Sequence, residues 1–164
     1  MPNHCENDLY IQGNKQPREI LKAIKSLTEE DYLFYFNRVI PMPESLLNIT
    51  SPQQNEKEIA QAKENLKLYG ATDWYTWSCK NWGTKWNAYD IVIRYRKPKS
   101  IKIKFETAWA PPLPVITALA KKFPAYTFTL RYFERGMAYQ GTLKIKGDRI
   151  LKQEQKKYRG RRGG

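Results

Sequence analysis

Histidine and cysteine are nearly missing from this sequence of 164 residues: His4 stands alone, and Cys5 and Cys79 are its only thiols. So few of these side chains supply neither a disulfide scaffold nor a Cys/His zinc cluster, and a single histidine leaves little room for imidazole-dependent catalysis. A Cys5–Cys79 bridge stays open as a pairing, although a chain without a secretory signal is expected to keep its thiols reduced. Long apolar runs are lacking too. The least polar stretch, residues 108–120, is broken by Pro111, Pro112 and Pro114, whereas a spanning helix needs roughly 20 apolar residues. The opening residues, Met1 to Asp8, are polar and acidic and have no signal-like basic and apolar regions. The expectation is a cytoplasmic protein that does not enter a membrane. Walker, G-x-G-x-x-G and nucleophile-elbow motifs are absent, so no cofactor is expected.

Acidic residues are scarce in one half only. Residues 1–80 carry nine Lys/Arg against eleven Asp/Glu, whereas residues 81–164 carry twenty against five. The whole net charge of +13 therefore belongs to the second half. Such segregation favours a polyanionic partner, chiefly nucleic acid, over a charge spread for solubility.

What is present is patterned. Asp8 to Gln12 alternates as a strand, and residues 17–27 place Ile20, Leu21, Ile24 and Leu27 on one helical face. Thr28 to Asp31 reads as a polar turn with capping character, and the aromatic and branched run Leu33 to Ile40 as a second strand. Ser51-Pro52 reads as the start of a helix to Tyr69, with Ile59, Ala62, Leu66 and Tyr69 inward and Gly70 closing it. Thr72 or Asp73 caps a short helix with Trp74 and Trp77, ahead of Trp82 and Gly83. Asp90–Arg96 and Ile101–Glu106 alternate as a hairpin, Pro112–Phe123 as a helix, and the runs around Phe128 and Leu143 as two further strands.

The reading is α+β: a ferredoxin-like antiparallel sheet with helices on one face, in the order βαβ-αα-ββαββ. Residues 1–50 form the βαβ part, 51–83 a helical insertion and 84–150 the basic ββαββ part, the three packing as one unit. Residues 151–164, rich in Lys, Arg and Gly, are expected to be a disordered basic tail.

Three stretches carry a family likeness. They are Met1 to Gly13, Phe36 to Pro43, and Trp82 to Ala88 followed by Phe105 to Pro114. In order and spacing they resemble the YubB-type ferredoxin-like proteins of phages and plasmids, over about residues 1–147. His4 stands where that family most often has tryptophan, and the basic tail is an addition. The resemblance implies a ferredoxin-like fold and a mobile-element origin, with no reaction and no catalytic residues.

Two groups of residues are candidate sites. Arg94, Arg96, Lys102, Lys104, Arg131, Lys144 and Lys146 share the polar side of the C-terminal strands and are expected to form a positive plate. Thr127, Thr129, Thr142 and Gln140 accompany them, with no aromatic residue, which points to phosphate contacts more than base readout. Lys156, Lys157, Arg159, Arg161 and Arg162 extend the charge along the tail. Trp82, Lys85 and Trp86 form a possible stacking and phosphate site, although tryptophan is more often core. Asp90, Glu106 and Glu134 are the acids that a Mg²⁺-dependent nuclease would recruit, but no spacing motif supports them. A non-enzymatic accessory protein binding RNA or single-stranded DNA is the leading expectation. A protein-binding inhibitor of host machinery, acting on a nucleoprotein complex such as a defence effector or ribosome, is the alternative. The oligomeric state is left open.

Overall fold

The computed structural model describes residues 3–27 and 33–160, except the side chains of Tyr95 and Arg96. Thr28 to Asp31, Arg161 and Arg162 lie outside the described residues. Six strands form one antiparallel sheet: β1 (His4–Gln12), β2 (Tyr89–Lys97), β3 (Ser100–Ala108), β4 (Thr127–Glu134), β5 (Tyr139–Lys146) and β6 (Arg149–Lys157). Their spatial order is β2-β3-β1-β4-β5-β6. Because β1 runs antiparallel to both β3 and β4, it is parallel to β2, and β3 is parallel to β4. The first four strands are thus the interleaved βαββαβ arrangement of a ferredoxin-like fold. Strands β5 and β6 widen it by a meander.

Alternation decides which side is covered. Leu9 and Ile11 of β1 pair with Ile103 and Ile101 on one flank and with Leu130 and Phe128 on the other. All six are buried. Helix α5 (Leu113–Lys122) lays Val115, Ile116, Leu119 and Ala120 on this face. The first crossover adds helices α1 (Arg18–Ile24), α2 (Glu44–Leu47), α3 (Glu56–Tyr69) and α4 (Trp74–Asn81). From them Ile20, Ile24, Leu46 and Trp77 enter the core.

The first crossover also holds the largest departures from the sequence pattern. Residues 33–40 form no strand; Phe36–Arg38 is a 3₁₀ turn, and Phe34 and Phe36 plug the core against Phe105. Its β-like composition records burial, because every place beside β1 is already taken by β3 and β4. Helix α1 stops at Ile24, leaving Leu27 exposed. Helix α3 starts at Glu56, where the Asn55 side chain accepts from the Glu58 amide. It buries Ala62 and Asn65 and leaves Ile59, Leu66 and Tyr69 exposed. The polar anchor sets that rotation: Ser45 Oγ donates to Asn65 Oδ1 at 2.7 Å, and Asn65 Nδ2 donates to the Ser45 carbonyl at 3.1 Å.

Much of the expected tail is a strand. Residues 149–157 form β6, paired with β5 along its length and exposed on both sides. Alternating Lys and Gln gave no apolar face to read, but the backbone ladder needs none. A chain ending at Asp148 is therefore expected to melt at a lower temperature, whereas one ending at Tyr158 keeps the wild-type melting curve.

Cys5 and Cys79 are both free thiols, one buried and one exposed. Burial pushes the Cys5 thiol up to about 12. Its neutral form is favoured by the fold, so this contribution is complete below the ordinary thiol value and is lost as pH rises towards 12. A thiol reagent at neutral pH is expected to modify Cys79 alone, with Cys5 reacting only after denaturation.

Candidate nucleic-acid interface

Among the described residues no helix packs on the other side of the sheet, and the register there assembles the charge. One row across the six strands reads Arg94, Lys102, Tyr10, Thr129, Lys144, Lys152. Its neighbour reads Val92, Lys104, Asp8, Arg131, Thr142, Glu154. A third ends in Thr127, Lys146 and Arg149. Three cross-strand pairs are therefore of like positive sign: Arg94 with Lys102, Lys144 with Lys152, and Lys146 with Arg149. Like charges placed directly opposite destabilise a sheet. At one end the sign reverses, where Glu6 faces Glu106. There Arg135 reaches Glu6 at 3.4 Å and His4 reaches Glu106 at 3.1 Å.

Strands β1, β4, β5 and β6 curl this face into a trough of about 730 Å³. Tyr10 and Thr129 lie in its floor, with Arg131, Lys144, Lys152 and Lys156 set against the carboxylates of Asp8 and Glu154. Lys152 and Glu154 form an exposed ion pair at 3.0 Å. Lys102 departs from the expected plate. Its ammonium contacts Asp8 at 3.0 Å with both side chains below a tenth exposed, and it lies 4.9 Å from the Tyr10 ring centre. It holds the floor together and orients Tyr10, so it is not a surface cation.

The face is also less purely cationic than the sequence suggested. Tyr10 comes from the first strand, far from the basic half, and Phe133 lies on the same side one residue past the alternation read from the sequence. Phe133 is already stacked by Tyr158, with ring centres 5.3 Å apart. Partly exposed Tyr10 is the aromatic surface in the middle of the cationic row.

Of the other candidate residues, Arg94, Arg131, Lys144 and Lys146 are exposed on this face and Lys104 is partly so. Lys156 lines the trough. Lys157 pairs with Tyr139 and so belongs to the opposite side, and Arg159 follows the strand's end. The side chain of Arg96 is outside the described residues. Trp82 is core: it is 4% exposed and its indole donates to the Ile40 carbonyl at 2.9 Å. Lys85 instead meets the rings of Trp86, Tyr75 and Trp109.

The three acids do not form one cluster. Glu134 is buried on the core side and accepts from the Gly136 and Met137 amides, while Glu106 faces His4 on the bare side. Among the described residues no group of three His, Cys, Asp or Glu side chains is placed to hold a metal ion, and no helix is long and apolar enough to cross a membrane.

No curated protein matches the chain in sequence. In structure it resembles a protein api92 from Yersinia pseudotuberculosis, at 8% identity and a TM-score of 0.54, covering 98% of this chain and 99% of that one. At that identity the likeness establishes the ferredoxin-like α+β fold alone. Residues 81–159, the part of the chain that carries β2 to β6, match the family model described as the ferredoxin-like domain in Api92-like protein.

Proposed function

We propose that the trough binds single-stranded nucleic acid, RNA or DNA, and that the protein serves as a non-enzymatic accessory protein of a phage or plasmid. The observation that carries the binding is the two exposed, like-charged cross-strand pairs on this face, Lys144 with Lys152 and Lys146 with Arg149. A sheet that only had to stay soluble would alternate the signs. A polyanion laid across the strands relieves the repulsion and releases its own counterions. Tyr10, in the middle of the row, supplies a ring on which a base can stack, and bases stack on aromatic side chains without strict sequence preference. The mobile-element setting rests on the YubB-type resemblance of the three sequence stretches.

The test is binding of labelled single-stranded RNA, single-stranded DNA and duplex DNA over a salt series. Log affinity for a single strand is expected to fall with log salt by roughly 0.7 per phosphate contacted. Flat traces with all three ligands would sink the reading. Deleting residues 152–164 is a poor probe because it takes most of β6 and one wall of the trough.

A specific observation supports a second reading, a protein-binding inhibitor of host machinery: α3 turns Ile59, Leu66, Leu68 and Tyr69 outward, each at least 40% exposed. Exposed apolar groups clustered on one element mark interaction surfaces. Under this reading a stoichiometric host protein co-purifies, survives nuclease treatment, and is lost in an Ile59→Glu, Leu66→Glu chain.

A further inference from the structure

Away from the trough, a lysine is ringed by aromatics. The Lys85 ammonium lies 4.6 Å from the Trp86 ring centre, 5.0 Å from Trp109 and 5.7 Å from Tyr75. Separate elements converge there. Tyr75 projects from α4, whose Asp73 cap fixes the helix start by accepting from the Thr76 amide at 2.9 Å. The Ser78 hydroxyl donates to the Lys85 carbonyl and ties the following loop back onto α4. Trp109 follows β3 with a φ of +65°, a backbone region that bulky residues rarely adopt. Its amide donates to the Asn3 carbonyl at 2.8 Å, and its carbonyl accepts from the Tyr139 hydroxyl.

Ring faces satisfy the charge of an ammonium but not its three N–H donors. Among the described residues Lys85 has no carboxylate within ion-pair distance, and its ammonium donates to none of them. Asp90, the acid nearest in sequence, forms no ion pair with it, and Asp73, at the start of α4, is buried and committed to Thr72 and Thr76. A cationic guest is repelled, because Lys85 already fills the space between the rings. An anion finds donors, and Trp86, 38% exposed, offers aromatic surface beside them.

We propose that Tyr75, Lys85, Trp86 and Trp109 form a mononucleotide subsite, in which Lys85 takes a phosphate and Trp86 takes the attached base. It rests on the nucleic-acid reading only for the polymer that supplies the nucleotide. The test is intrinsic tryptophan fluorescence of the full chain, titrated with adenosine 5′-monophosphate, adenosine and inorganic phosphate. The nucleotide is expected to quench and to bind about tenfold tighter than either fragment, the contribution of a charge-assisted contact. Lys85→Met lowers that affinity about tenfold, Lys85→Arg restores most of it, and Trp86→Ala removes the quench. A Lys144→Glu, Lys152→Glu chain keeps the response.

Equal affinity for nucleotide and adenosine, or wild-type binding by Lys85→Met, overturns the subsite. A wild-type chain that binds the nucleotide at Lys85 but no oligonucleotide at any salt overturns the trough and leaves this site standing. Oligonucleotide binding that depends on the trough and is untouched by Lys85→Met overturns this site alone.

Discussion

Lys102→Met is expected to lower the unfolding free energy by about 3–5 kcal/mol, the cost of removing one partner from a buried ion pair. The substitution keeps the apolar stem between Arg94 and Tyr10 but takes away a cation paired with the Asp8 carboxylate, and both side chains of the pair are below a tenth exposed. Desolvation makes one-sided removal expensive. Removing both charges, as in Lys102→Met with Asp8→Leu, is expected to recover most of the loss, since apolar replacements of buried pairs are often neutral. Urea unfolding of the two single variants and the double variant measures this as a cycle. Lys121 and Asp148, 3.8 Å apart and exposed, provide the contrast: breaking that pair is expected to leave the curve unchanged. A Lys102→Met chain as stable as wild type would show that Lys102 is a surface cation after all.

The contrast explains what the sequence made visible. β2 to β5 and α5 were legible because one side of each packs on the core, fully or in part, so apolar residues recur at the period of the element. Residues 33–40 misled because aromatic and branched residues mark burial as well as strands. Only the sheet order shows that no place beside β1 was free. β6 was hidden for the opposite reason, having no buried face to imprint a pattern. Helix α3 had its period read correctly and Ala62 buried as read, but it is rotated about its axis, the Ser45–Asn65 hydrogen bonds bringing Asn65 inward and leaving the Ile59–Leu66 stripe outside.

The candidate site was half legible. Alternation alone put Arg94, Lys104, Arg131, Lys144 and Lys146 on one face. It gave no strand order, and order decides which residues become neighbours. Tyr10 lies in the acidic half of the sequence, yet β1 sits between β3 and β4 and carries it into the basic face. Asp8 arrives the same way and converts Lys102 from a ligand-facing charge into an internal one. Trp109, more than twenty residues from Lys85, reaches the aromatic cluster only because the end of β3 returns beside α4. A hydrogen-bonded turn at Trp109 has no signature in composition, so nothing in the sequence singled it out from the other tryptophans.

Reversing Lys144 and Lys152 together is expected to reduce affinity for a single strand by about 100-fold at low salt, with little change in stability. The two face each other across β5 and β6 at the end of the row that contains Tyr10. Both are exposed, so the substitutions leave no buried charge, and two glutamates repel across the ladder about as two lysines do. Loss of two phosphate contacts also makes the log–log salt slope shallower by roughly 1.4. Tyr10→Ala acts on another part of the interaction. It is expected to weaken binding by about 1–3 kcal/mol of stacking while leaving the salt slope unchanged, and Tyr10→Phe to retain binding. That separation distinguishes a base stacked between phosphate contacts from a strand held by charge alone. A double reversal that binds like wild type would place the nucleic acid elsewhere, and a Tyr10→Ala chain that changes only the slope would remove the base from the trough.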